Sequence, residues 1–353
     1  MVALCHAKEG IGELLTEKKQ EFHYGGQAVV EGVMMRGPKD FSVAVRREDG
    51  EIVSSTENVE SMFAKLAWLK RPFLRGVFVL IDSMALGIKA LKFATDVALQ
   101  DISGTQSGPG GAAPSPTEDQ PQASPPSKSV NDATISAMMV FGLILGVAIF
   151  VLVPIILTRL LNSHMHHRWE LTATEGLVKI AMFVGYVGAI SMLKDIRRVF
   201  QYHGAEHKTI NAYEAGVDLT VENVKPYTKV HVRCGTSFLL VVLVANIVVY
   251  MLIGDHLPHG SLLEKGFVSN LIRWGYHLLL LPFVAGLSYE VIRLAGSHKD
   301  SIITKIILTP GLLMQKITTR EPEDDMIEVA IQSLKGVLDK EALADAEPNV
   351  ETA

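Results

Sequence analysis

From Ile135 to Thr158 the chain reads ISAMMVFGLILGVAIFVLVPIILT, with no charged residue. At about 1.5 Å rise per residue, a helix over this run is about 35 Å long, enough to cross a hydrocarbon core of roughly 30 Å. Three further runs have the same character. Leu177 to Leu193 carries Lys179 near one end, where its stem can snorkel. Thr236 to Gly254 is uncharged, and Gly275 to Ile292 holds Pro282 inside and Glu290 near its end. A soluble core can hide one such run, but four need a bilayer. The expected fold is a predominantly α-helical polytopic membrane protein of about four transmembrane helices, with a small α+β cytoplasmic part at the amino-terminal side.

Charge in the connecting segments orients these helices. Residues 1 to 22 lack the continuous apolar core of a signal peptide, so the amino terminus is expected in the cytoplasm. Between Lys194 and Arg233 lie Lys194, Arg197, Arg198, Lys208, Lys225, Lys229 and Arg233. After the fourth run come Arg293, Lys299, Lys305, Lys316 and Arg320. The segments 159–175 and 255–274 are poor in basic residues. Basic and poor loops alternate, which predicts a multi-pass protein of the cytoplasmic (plasma) membrane with both termini inside. Trp169, Trp274 and Tyr276 then fall at the outer interface, where amphipathic aromatics settle. The formal net charge of −5 provides no basic field, so the bilayer rather than nucleic acid is the expected partner. Two cysteines, Cys5 and Cys234, exclude a disulfide scaffold.

The remaining sequence divides the chain. Residues 1–102 form an amino-terminal cytoplasmic or interfacial region. Within it, Asp49-Gly50 between SVAVRRE and EIVSS predicts a β-hairpin. The preceding GGQAVVEGVMMRGP has Gly at 25, 26, 32 and 37. It reads either as a bulged strand and turn or as a backbone-lined loop near a site. Residues 60–99 read as helices broken at Pro72. There Arg75, Asp82, Lys89 and Asp96 form one polar stripe on an otherwise apolar helix. That pattern suits a helix in the membrane interface, a re-entrant helix, or a buried amphipathic one. Residues 103–131 are a Pro/Gly-rich linker without an aromatic residue, too polar to order itself. Residues 132–320 form the transmembrane region, in which Ile302 to Met314 reads as a short interfacial stretch broken at Pro310-Gly311. In residues 321–353, Pro322 and Glu323, Asp324 and Asp325 open a helix whose apolar face is Ile327, Ile331, Leu334 and Leu338.

The chemistry concentrates in QYHGAEHKTINAYEAG, residues 201–216. His203 and His207, four apart, share one helix face about 6 Å apart along the axis, the spacing two imidazoles need to grip one zinc ion. Glu206 stands beside them. The pattern His-x-x-Glu-His is the inverted zincin motif of inverzincin metallopeptidases, in which the histidines bind zinc and the glutamate is the general base. The alternative is a polar helix whose histidines bond to their neighbours. Gly204 weakens a pure helix by about 1 kcal/mol, yet it permits close backbone approach. Further ligands are sought among Glu214, His231, Cys234 and Glu290, with His298 and Asp300 behind them. His164, His166 and His167 form a second cluster, on the outer side by the loop-charge rule and without a carboxylate base.

With these residues in hand the sequence resembles the YqhQ family of polytopic bacterial membrane proteins. The resemblance rests on GGQAVVEGVMMRGP, LRGVFVLIDSMALGIKAL, FQYHGAEHKTINAYEAG and HVRCGTSFLL, spread over residues 24–320. It implies a metal-dependent enzyme, a description built on the same His and Glu pattern. The expected function is a hydrolase with a divalent metal, zinc, at the cytoplasmic membrane face, Glu206 activating water. The rival is a non-enzymatic membrane protein, either a transport path or a partner of membrane-protein biogenesis machinery. Gly142-x-x-x-Gly146 would permit helix assembly and a homo-oligomer.

Overall fold

A computed structural model describes residues 24–59, 71–105, 132–161, 167–253, 267–297 and 301–346. The readings made above for the amino-terminal 22 residues, the first part of the 60–99 segment, the core of the Pro/Gly-rich linker, His164, His166, His298 and Asp300 lie outside them.

The amino-terminal part is a four-stranded antiparallel meander in the order β1-β2-β3-β4, not a lone hairpin. Its strands are β1 (Gly25–Val29), β2 (Gly32–Arg36), β3 (Asp40–Arg46) and β4 (Ile52–Asn58). Asp49-Gly50 closes β3 onto β4, with Gly50 at φ +91° and Arg46 opposite Ile52. Alternation along the strands gives the sheet two apolar faces. Val33, Met35 and Ala44 point one way; Val29, Met34, Phe41, Val43 and Val45 point the other.

The helices are α1 (Leu74–Thr105), α2 (Asp132–Leu161), α3 (Arg168–Ile190), α4 (Lys194–Glu214), α5 (Val221–Val224), α6 (Gly235–Ile253), α7 (Phe267–Ser297), α8 (Ile302–Thr318) and α9 (Asp324–Ala346). The first sheet face is covered by α4 (Tyr202, Ala205, Ile210) and by α9 (Met326, Ile327, Ala330, Leu334). The second face is covered by Leu86, Ala90, Ala94 and Val97 of α1. The sheet is thus enclosed by helices from both ends of the chain. Ile327, Ile331 and Leu334 are buried there and Leu338 packs at the edge, as their spacing predicts.

Among the described residues, three helices are long and apolar enough to cross a membrane: Thr172–Ile190, Gly235–Ile253 and Leu278–Ala295. The expected first span, Ile135–Thr158, lies wholly within α2, and Ile144–Thr158 is its apolar stretch among the described residues. The second expected span is displaced toward the amino terminus. Its helix ends at Ile190 rather than Leu193 and takes in Glu175, which pairs with Lys179 at 2.8 Å one turn on. The expected break at Pro310-Gly311 is absent, because α8 runs through it. A proline inside a helix costs about 3 kcal/mol, and packing offsets this. Gly311 lies so close to α6 that a Cβ there would stand 2.5 Å from Ser237 Cβ. Met314 and Ile317 of α8 join Leu240, Leu243, Val187 and Phe200 in a third apolar cluster, where the long apolar helices meet α4.

Candidate metal centre

Helix α4 is buried on every side at its middle, from Gly204 to Ile210. Such a helix is normally apolar all round, yet this stretch contains Glu206, His207, Lys208 and Thr209. Glu206, His207 and Lys208 find partners on the sheet, on the segment 225–234 and on the segment 318–322 that joins α8 to α9, while Thr209 Oγ1 donates to the Ala205 carbonyl one turn back at 2.9 Å.

The segment 318–322 crosses α4 at Gly204, where a Cβ would stand 2.0 Å from the Arg320 carbonyl oxygen. The Arg320 N–H donates to the Phe200 carbonyl at 2.8 Å. Gly204 is therefore helical, and its missing side chain makes room for the crossing. One residue earlier, His203 Nδ1 lies 2.8 Å from the Thr318 carbonyl. One turn later, His207 Nδ1 lies 2.7 Å from the Lys229 carbonyl. A carbonyl only accepts, so both rings carry their proton on Nδ1 and keep a lone pair on Nε2. The ring centroids are 4.4 Å apart.

Cys234, the residue before α6, presents its sulfur to the same point. Its Sγ lies 3.3 Å from His203 Nε2 and 3.1 Å from Thr236 Oγ1. One ligand atom from each of His203, His207 and Cys234 lies within 4.8 Å of the others. The donors of a tetrahedral zinc ion stand about 3.3–3.7 Å apart, so small side-chain rotations close the set. The backbone of the 225–234 segment is held to α4 by polar side chains. Asn211 Nδ2 donates to the Thr228 carbonyl at 2.7 Å, and Lys208 Nζ to the Lys225 carbonyl at 2.7 Å. Lys208 also pairs with Glu321 at 2.5 Å.

Glu206, one turn from His203 on the same helix, packs against β1. Gly26 accommodates it: a Cβ there would stand 3.0 Å from both Cγ and Cδ of Glu206. The glycine-rich strand is thus a backbone wall beside the site. Only 4% of Glu206 is exposed, and this burial pushes its carboxyl up to about 7. The His203 ring and a hydrogen bond from the Gly26 backbone pull it part of the way down.

The other sequence candidates lie farther out. His231 is buried with its ring centroid 5.7 Å from that of His207, and its Nε2 is 3.9 Å from Glu214. Its backbone is clamped by Gln315 of α8. The His231 N–H donates to Gln315 Oε1 at 2.8 Å, while Gln315 Nε2 donates to the His231 carbonyl and to Ser237 Oγ, each at 2.7 Å. Glu214 is held by Arg233. Glu290 is away from the centre altogether. It accepts from Arg75 Nε at 2.7 Å and from the Phe73 N–H at 3.3 Å, both at the start of α1. Gln315 and the carbonyls of Thr318 and Lys229 escaped the sequence reading; Gly26 did not, since one of the two readings of its glycine-rich stretch is a backbone-lined loop near a site.

The family model described as "Protein of unknown function (DUF1385)" matches residues 71–340, the stretch that holds the whole centre. The chain is also 35% identical over 329 residues to the "Uncharacterized protein YqhQ" of Bacillus subtilis (strain 168), covering 91% of this chain and 94% of that protein. No solved structure matches. On this likeness, which runs along nearly the full length of both proteins, the chain belongs to the YqhQ family, whose function is uncharacterised.

Proposed function

We propose that this protein is a multi-pass membrane protein with a divalent-metal centre, zinc, at His203, His207 and Cys234, and that the centre serves a hydrolase. The observation that carries the reading is the orientation of the two imidazoles. Each has its Nδ1 proton fixed on a backbone carbonyl, and His203 Nε2 faces a thiol. Backbone carbonyls behind ligating histidines fix the ring and raise its basicity. Two nitrogens and one sulfur suit zinc over calcium or magnesium, which prefer oxygen. Three protein donors leave a fourth position open, as in catalytic rather than structural zinc sites.

A zinc ion held there would act as a Lewis acid toward a carbonyl or phosphoryl group. The chain's own part begins with His203, half-exposed, which gives the centre its accessible side. Glu206, fixed by the Gly26 wall, is the group that takes up and returns a proton. Helices α3, α6 and α7, with the apolar run of α2, form the membrane bundle of this reading. The basic connecting segments put the centre on the cytoplasmic face. A peptide or a lipid-linked molecule arriving along that face is the substrate class that fits.

The burial of Glu206 favours a second reading, in which the ion is bound without catalysis and the protein acts in transport or as a partner of membrane-protein biogenesis machinery. Two measurements decide. Detergent-purified wild type should hold zinc in stoichiometric amount and His207→Ala should lose it; equal zinc in both, or none in either, removes the centre. Growth complementation by Glu206→Gln with zinc retained removes hydrolysis, whereas its failure with normal folding keeps hydrolysis standing.

A further inference from the structure

The start of α1 is built into the side of α7. Phe73 stacks on Phe283 with ring centroids 5.8 Å apart. Arg75 grips Glu290 with both Nε and Nη2. Glycines on each helix bring the backbones together: a Cβ at Gly286 would stand 2.3 Å from the Phe73 carbonyl oxygen, and one at Gly76 would stand 2.5 Å from Tyr289 Cβ. Phe283, Gly286 and Glu290 all belong to the apolar stretch Leu278–Ala295. Whatever surrounds that stretch also surrounds the first turns of α1.

The other face of α1 is apolar and open. Ile81 is 41% exposed, Met84 67% and Ile88 66%. The sheet covers the buried face only from Leu86 onward, and its nearest polar contact is Arg36 Nη1 on Ser83 Oγ at 3.4 Å. The charge closest to the helix start is already paired, Arg75 with Glu290. The next cations, Lys89 and Lys92, come four turns on and are exposed. The chain turns at Phe73, which holds φ at +68°, a conformation non-glycine residues rarely adopt. Its N–H, one of the donors a helix start leaves without an intrahelical partner, is taken by Glu290.

From this geometry we infer that α1 is a re-entrant helix, its first three turns (Leu74 to Met84) embedded in the membrane leaflet that holds the Glu290 end of α7, with lipid acyl chains covering Leu74, Ile81 and Met84. A helix start at that depth must have its backbone donors met by protein and its charges neutralised. Glu290 does both at the helix start, accepting from the Phe73 N–H and from the Arg75 guanidinium, while the other charge in these turns, Asp82, is opposed by Arg36 of β2. Lys89 and Lys92 then stand at the headgroups, where cationic side chains are favoured. The inference rests on reading α7 as a membrane span.

Tryptophan scanning in proteoliposomes tests both layers. Leu279→Trp reports on α7, where Leu279 is 73% exposed; Ile81→Trp and Met84→Trp report on α1; Leu99→Trp, at a 55% exposed position near the far end, is the water-side control. The emission each variant adds to the parent protein is followed with chain-brominated phospholipid and with aqueous iodide. The expected result is loss of the added emission to brominated lipid at positions 279, 81 and 84, and to iodide at position 99. If 279 is quenched by lipid while 81 and 84 answer to iodide, α1 lies in water and the inference fails alone. If 81 and 84 answer to neither, a second copy or another protein covers them and it fails again. If 279 itself is not quenched by lipid, the span reading falls and takes the inference with it.

Discussion

The sulfur of Cys234 lies 3.3 Å from Nε2 of His203, although 31 residues separate them in sequence. The contact joins the sheet-covering helix α4 to the residue that opens the apolar helix α6. In the metal-free state the thiol is the donor and Nε2 the acceptor, because the proton of His203 is committed to Thr318. Zinc bound at this site would remove the thiol proton, since zinc binds the thiolate.

Cobalt substitution reads that thiolate directly. Cobalt-loaded wild type should develop a near-ultraviolet thiolate charge-transfer band. Cys234→Ser should lack it while retaining weaker binding through the histidines. A band of unchanged intensity in the variant would remove Cys234 from the centre.

Gly204→Ala should destabilise the protein. Its new methyl group meets the Arg320 carbonyl at 2.0 Å, backbone against backbone, where neither side can yield by a rotamer change. Overpacking of this kind costs about 1–3 kcal/mol. The thermal midpoint should fall by several degrees, and zinc affinity with it, because Thr318 is part of the displaced segment. A midpoint equal to wild type would mean that the crossing is looser than it looks.

Gln315→Leu tests the clamp on His231. The variant leaves the His231 N–H and carbonyl without their buried partner, at about 1–3 kcal/mol for each group. The thermal midpoint should fall by several degrees, and a midpoint equal to wild type would mean that the fold does not depend on the clamp.

Stability should fall as pH rises through the range set by Glu206. Its carboxyl titrates near 4.5 when unfolded and is pushed up to about 7 when folded. Between these values the folded state binds more protons, so stability is lost as pH rises from about 4.5 to about 7, by roughly 3 kcal/mol in all. Glu206→Gln carries no charge and escapes the loss. In chelator-treated protein, the midpoint of the variant should therefore exceed that of wild type at pH 8 and approach it at pH 5. A gap that does not change with pH would contradict the burial of the ionised carboxylate.

Local pattern carried the parts of this structure that depend on local pattern. Asp49-Gly50 marks its hairpin, the 3.6-residue spacing of Ile327, Ile331 and Leu334 marks the buried face of α9, and the spacing of His203 and His207 puts two imidazoles together. What failed was everything decided by distant pairing. Four residues competed for the place beside His203 and His207, and only the fold brings Cys234 there, by the point at which α6 begins. Glu290 is a carboxylate at the end of an apolar run either way; that it belongs to Arg75 depends on α1 lying against α7, more than two hundred residues away in sequence. Pro310 is a helix breaker by propensity, and α8 passes through it because Gly311 seats on Ser237. Gly26 leaves two readings open, a bulged strand or a backbone-lined wall near a site, until Glu206 is found against it.

The enclosure of the sheet by α1 on one face and by α4 with α9 on the other sets an order of assembly during biosynthesis. The strands leave the ribosome first, but one of their apolar faces waits for Met326, Ile327 and Leu334, near the end of the chain. All the long apolar helices are made in the interval. The half-covered sheet is therefore a nascent intermediate with an unsatisfied face, and it closes only after the hydrophobic helices have emerged. Thr318, which sets the proton of His203, arrives at the same late moment. A chain truncated before α9 would thus lack the cover of one face of its sheet.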